Sequence, residues 1–234
     1  MVGDGQTGSV KTRNLQPVRL GRLVGMSLAA LMTLAACGPS DGAADDAVST
    51  EVPGESAAPS EPAALENSSE LVTVGAVLPQ LDNGVADPAA GTAAPTMTGQ
   101  QFDNTDISIG GATDGPTMLV FLAHWCPHCN DEIPEILELR DNGDLPADLN
   151  VVGISTAVAS DRDNFPPSQW IDDQGWEWPV LADTESAEAF QAFGGNGFPF
   201  TVLLDADGNV LARKSGSSDA AQIKSWIDAS LPRA

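Results

Sequence analysis

The feature that most restricts the fold is an abrupt change of pattern across residues 117–140, TMLVFLAHWCPHCNDEIPEILELR. Thr117 to Ala123 is an unbroken apolar run, as expected of a strand buried on both faces. A few residues on, Ile133, Ile136, Leu137 and Leu139 form the apolar stripe of a helix. A buried strand feeding an amphipathic helix is the repeating unit of layered α/β sheets. At the seam stand Cys126 and Cys129, together with the only two histidines of the chain, His124 and His128.

The remaining pattern agrees with that unit. Leu149 to Thr156 (LNVVGIST) predicts a second buried strand, PSQWIDDQG a helix, and Trp178 to Asp183 (WPVLAD) a short strand. ESAEAFQAFG predicts a helix stopped by Gly194. FPFTVLLDADGNVLARKSG predicts a hairpin turning at Asp207-Gly208. DAAQIKSWIDASL predicts a closing helix with Ile223, Trp226 and Ile227 inward. Short strands are expected around Gln101–Phe102 and Ile107–Ile109. The ordered domain is expected over residues 71–234, as one α/β sheet between helices.

What precedes it has a different character. Residues 1–22 carry Lys11, Arg13, Arg19 and Arg22 against one acid, Asp4, and Leu23 to Ala36 is uncharged. That run is shorter than the ~20 residues of a membrane span. It matches the ~7–15 apolar residues of an export signal, so residues 1–36 are expected to be a signal peptide. The run ends in LAAC at Cys37, which resembles the lipobox of bacterial lipoproteins. The resemblance implies cleavage before Cys37, lipidation of its thiol, and stable anchoring by two acyl chains. Residues 37–70 read as a linker: from Gly38 to Glu70 there are eight acids, no base and no aromatic residue. Such a segment buries too little apolar surface to offset chain entropy and is expected to stay unfolded.

The charge balance narrows the partners. Ten Lys and Arg against 33 Asp and Glu give a net charge of −23. That balance argues against nucleic acid as a partner, because phosphate binding needs a basic face.

With Cys37 committed to lipid, Cys126 and Cys129 are the remaining thiols. A pair this close in sequence closes a loop too small to serve as a structural staple, which favours a redox role. At a helix N-terminus the unpaired N–H groups and the helix dipole favour a thiolate. Cys126, the outer residue, then attacks, and Cys129, one turn inward, resolves the mixed disulfide. Pro127 suits the first helical turn, where a missing N–H costs nothing. His128, between the thiols, is placed to favour the Cys126 thiolate by charge or hydrogen bond. His124, Cys126, His128 and Cys129 are all zinc-ligand types. Crowded at one strand end and one turn, with no distal Cys or His, they do not make a tetrahedron, so no metal and no other cofactor is expected.

WCPHC after an apolar strand, with GFPFTVLLDADGNV some 70 residues later, resembles the thioredoxin superfamily. WCPHCNDEIP is similar to its membrane-tethered TlpA/ResA-type branch, in which W-C-x-x-C-x-x-E-x-P recurs. The likeness covers about Asp114 to Leu231, and the preceding forty residues loosely. It implies a thioredoxin-like fold, a central mixed β-sheet flanked by helices on both faces. It also implies that Cys126 and Cys129 form a redox-active disulfide and that Pro199 is the cis-proline opposite it. Phe198 would offer its backbone to a substrate polypeptide as a strand partner. Trp125 would shield the thiol beside that substrate, and Glu132 would move protons to and from the inner thiol. Pro134 should kink the helix.

The same resemblance implies a thiol–disulfide oxidoreductase acting on exported polypeptides. It would be held at the outer face of the cell membrane by lipid and recycled by a membrane redox partner. Two features pull its direction opposite ways. CPHC resembles oxidising DsbA-type proteins, whereas the Glu132 pattern resembles reductants that serve cytochrome c assembly. Val120 stands where thioredoxin itself carries a buried acid. Two other readings are a thioredoxin-fold copper metallochaperone and a thiol peroxidase. The first uses a wider cysteine spacing with a distant histidine, and the second places Thr before its attacking cysteine; HWCPHC has neither.

Overall fold

The computed structural model describes residues 68–82 and 84–231. The expected signal peptide, Cys37 and nearly all of the expected linker lie outside the described residues. Twelve elements follow in order: β1 (Val72–Val74), β2 (Thr96–Gln100), β3 (Asp106–Ile109), β4 (Thr117–Leu122), α1 (Pro127–Asp141) and β5 (Asn150–Ser155), then α2 (Pro167–Asp173), β6 (Val180–Ala182), α3 (Glu188–Ala192), β7 (Phe200–Leu204), β8 (Val210–Ser215) and α4 (Ala220–Ser230).

Five strands form the main sheet in the order β6-β5-β4-β7-β8. β4 pairs parallel with β5 and antiparallel with β7, and β5 pairs parallel with β6, so the sheet is mixed. The apolar run of residues 117–122 occupies its centre, with all six residues buried. Alternation then assigns its side chains to two cores. Met118, Val120 and Leu122 meet Ile133 and Ile136 of α1, Trp170 and Ile171 of α2, and Ile223 and Ile227 of α4. Leu119 and Phe121 meet Phe200 and Val202, Ala189 and Ala192 of α3, and the segment around Leu78, Leu81 and Met97. Helices thus cover both faces, which is the layered arrangement expected of a thioredoxin-like fold. Each fully buried aliphatic or aromatic side chain contributes about 1.5–3 kcal/mol, so this one strand anchors both layers.

Some boundaries differ from those read off the sequence, for local reasons. The strand expected at Gln101–Phe102 ends at Gln100, because Gln101 turns the chain: its N–H donates to Thr105 O at 2.8 Å and its carbonyl accepts from Asn104 N. β1, β2 and β3 form a separate antiparallel sheet, of which the sequence pattern showed only the strand at Ile107–Ile109. The helix expected from Glu185 is only five residues long, Glu188–Ala192. Ala187 at its start is left-handed, φ 59°. The buried Asp183 carboxylate takes the amides of Thr184, Ala189 and Phe190, holding residues 184–187 in a loop. Gly194 does end that helix, at φ +75°, and a Cβ there would lie 2.3 Å from Pro79 O. In α4, Trp226 is half-buried while Ile223 and Ile227 are fully inside. No helix of the described residues is long and apolar enough to cross a membrane.

Candidate active site

The antiparallel register of β4 and β7 builds the site. Phe121 lies opposite Phe200, so the C-terminal end of β4 and the N-terminal end of β7 are neighbours. The chain leaving β4 reaches Trp125 and Cys126; the chain entering β7 brings Phe198 and Pro199. The Phe198–Pro199 peptide bond is cis. Trp125 and Phe198 meet edge-on, with ring centroids 5.8 Å apart and planes at 90°. Phe190 stacks beside Phe198 at 4.5 Å.

Cys126 is the N-cap of α1, with extended φ −85°, ψ 117°, and Pro127 follows at the first helical position. Both thiols are free. Cys126 retains 5% exposure and Cys129 none, so the outer sulfur is the one a partner molecule reaches. Burial pushes the Cys129 thiol far up, and the neighbouring Cys126 and the Glu132 charge add to the shift. Cys129 therefore holds its proton until a base removes it.

Glu132, one turn further along α1, is 1% exposed. Its Oε1 accepts from Lys214 Nζ at 2.6 Å and from the Ser218 N–H at 3.2 Å. Its Oε2 is buried without a hydrogen-bond partner. Burial raises its carboxyl above the usual range, against the opposing pull of Lys214. His128 stands 68% exposed, its Nδ1 3.9 Å from Asp131 Oδ2 rather than hydrogen-bonded to a sulfur. A pair so exposed contributes little. Pro134 lies inside α1 on its exposed side.

Several contacts that position this site gave no sign of themselves in the sequence. His124 is fully buried, and both its ring nitrogens are engaged. Nδ1 lies 2.7 Å from Asp163 O, and Nε2 accepts the Ala159 N–H at 3.1 Å. That pattern assigns the proton to Nδ1. Trp125 Nε1 donates to Ala157 O at 2.8 Å, and the Arg162 guanidinium lies 5.0 Å over its ring. His124 and Trp125 thereby hold the loop after β5 beside the cysteines. Asn130 ties the start of α1 to α2: Nδ2 donates to Cys126 O, and Oδ1 accepts from Trp170 Nε1 at 2.8 Å. Each partner lies more than thirty residues from His124, Trp125 or Asn130 except Cys126, so only the tandem placement of His124 and Trp125 before the cysteines could have flagged them.

The family model described as Redoxin matches residues 89–228. The chain is similar to the thiol:disulfide interchange protein CycY of Rhizobium leguminosarum bv. viciae, 27% identical over 151 residues, 64% of this chain and 72% of that protein. It is 32% identical over 129 residues to the methylamine utilization protein MauD of Paracoccus denitrificans, covering 54% of this chain and 58% of that one. The crystal structure of StoA from Bacillus subtilis superposes with a TM-score of 0.47 at 23% identity, over 60% of this chain and 99% of that chain.

Proposed function

The chain belongs to the Redoxin family, and from that premise we propose that it exchanges disulfides with exported polypeptides through Cys126 and Cys129. It is a thiol–disulfide oxidoreductase of the thioredoxin type. One observation carries the choice of residues: a slightly exposed thiol caps a helix, a fully buried thiol lies one turn inside, and the cis Phe198–Pro199 bond leads into β7, the strand paired with β4.

The steps follow from the geometry. The Cys126 thiolate attacks one sulfur of a substrate disulfide; that S–S bond breaks, a mixed disulfide forms, and one substrate thiolate leaves. Cys129 gives up its proton to the Glu132 carboxylate and attacks Cys126 Sγ. The second substrate sulfur leaves as thiolate, and the chain has lost two electrons to the substrate. Run backwards, the Cys126–Cys129 disulfide oxidises a substrate dithiol. Burial raises the Glu132 carboxyl, which makes it a stronger base than in water, while the buried Cys129 thiol holds its proton more tightly and needs that base. The backbone of Phe198 lies just outside the β7 ladder, where it is available to an extended substrate strand. Trp125 and Phe198 form an aromatic rim for that strand. His128, exposed between the two cysteines in sequence, would contact whatever docks there.

The charged-then-apolar segment that ends in LAAC at Cys37 supports a place outside the cytoplasmic membrane with a lipid anchor at Cys37, where a membrane redox partner would recycle the pair. Residues 37–70 would then be the tether and residues 71–234 the catalytic domain.

Single-cysteine variants test the assignment. Cys126→Ser should abolish disulfide exchange, and Cys129→Ser should accumulate a mixed disulfide visible by mass spectrometry. Full activity in both variants would overturn the proposal.

A further inference from the structure

Two buried ion pairs of this domain treat their carboxylates differently. Arg213 engages both oxygens of Asp87, Nε to Oδ2 and Nη2 to Oδ1, as a structural pair does. Lys214, the next residue, reaches only Oε1 of Glu132, and the Ser218 N–H joins it on the same oxygen. Oε2 is left buried and unpartnered. A buried carboxylate oxygen without a donor is costly, so an arrangement that leaves one open is poorly explained as a fastening.

We infer that Lys214 is a positioning residue of the proton path: with Ser218 it occupies Glu132 Oε1, reserving Oε2 as the atom that trades the proton of Cys129. The inference rests on the disulfide-exchange reading above. Among the described residues, this is the one ion pair whose carboxylate side chain is fully buried. Lys214 is itself 15% exposed, and its Nζ lies 5.8 Å over the Trp226 ring. On β8 it stands opposite Thr201, two residues beyond Pro199, so one strand pair links the cis-proline to the acid of α1.

The protonation site follows from the donors. Two N–H groups point at Oε1, which therefore stays an acceptor, and a proton taken up must reside on Oε2. As Cys129 attacks, its S–H proton passes to Oε2, its sulfur bonds to Cys126 Sγ, and the substrate sulfur departs with the electrons of the broken bond. Other titratable groups nearby are Cys126, Asp131 and Glu135 on α1 and Asp219 before α4. Glu135 already accepts the Ala220 N–H, and Asp219 caps α4. Lys214 is the only cation hydrogen-bonded to Glu132 among the described residues.

The test is single-turnover resolution of the Cys126–glutathione mixed disulfide as a function of pH, in wild type, Lys214→Met and Lys214→Arg. An opposite charge in contact lowers a carboxyl by about 1–3 pH units. In Lys214→Met the rising limb of the rate should therefore move about 1–3 units alkaline, and Lys214→Arg should bring it back. A Lys214→Met limb that coincides with wild type overturns the inference while leaving disulfide exchange intact. Failure of the wild type to resolve at all overturns the exchange reading instead. Should Lys214→Met not fold, carboxyl NMR titration of Glu132 in Lys214→Gln decides by the same criterion: an alkaline shift sustains the inference and an unchanged midpoint ends it.

Discussion

The indole of Trp125 meets the ring of Phe198 edge-on at 5.8 Å, so the residue before the outer cysteine touches the residue before the cis-proline. Edge-to-face pairs of this kind contribute about 0.5–1.5 kcal/mol beyond their buried area. The contact locks the loop that leaves β4 to the loop that enters β7, at the same end of the antiparallel pair.

Trp125 also carries the loop after β5 through its bond to Ala157 O. Trp125→Ala should cost about 3 kcal/mol of stability. Trp125→Phe, which keeps an aromatic edge and loses the N–H, should cost only about 1 kcal/mol. Denaturant unfolding gives both values, and hydrogen exchange at the Ala159 N–H, held by His124 Nε2, should quicken in the alanine variant. Equal behaviour of the two variants would mean that the ring makes no packing contribution.

Asp87 ties the segment before β2 to the hairpin strand β8. Arg213 beside it holds its carboxyl below the usual carboxylate range, while partial burial opposes. A folded-state value below the unfolded one, about 3.9, means that the pair stabilises the fold above that pH and the gain disappears as pH falls towards the folded value. Removing one partner of a buried pair costs about 3 kcal/mol, so Asp87→Asn should lower stability by that amount at pH 7. The deficit should shrink below about pH 4, where the unfolded carboxyl takes up its proton, and vanish once the folded wild-type carboxyl is protonated at lower pH. Urea midpoints at pH 7 and pH 3 compare the two; a deficit independent of pH would assign the loss to packing.

Much of the molecule was legible because its signals are local. The apolar run of β4, the stripe of Ile133, Ile136 and Leu139, and the Asp207-Gly208 turn are each set by a few adjacent residues. Of the three-stranded sheet only the strand at Ile107–Ile109 was legible; β1 exposes all three of its residues and shows no alternation. The shortened α3 escaped for another reason: its helical composition was overridden by Asp183, whose carboxylate satisfies amides that a longer helix would have used. At the site, the order Trp125, Cys126, Cys129, Glu132 and Phe198-Pro199 was visible as motif. The cations were not. Lys214 lies 82 residues from Glu132, and Arg213 126 residues from Asp87, and a composition so rich in acids gives no clue which carboxylate each one meets.

The central claim is tested most directly by equilibrating the purified domain against graded ratios of reduced and oxidised glutathione and counting alkylated thiols by mass spectrometry. Cys126 and Cys129 should pass together from dithiol to intramolecular disulfide in one two-electron transition that Cys126→Ser lacks. A pair that stays reduced, or stays oxidised, across every ratio would contradict it.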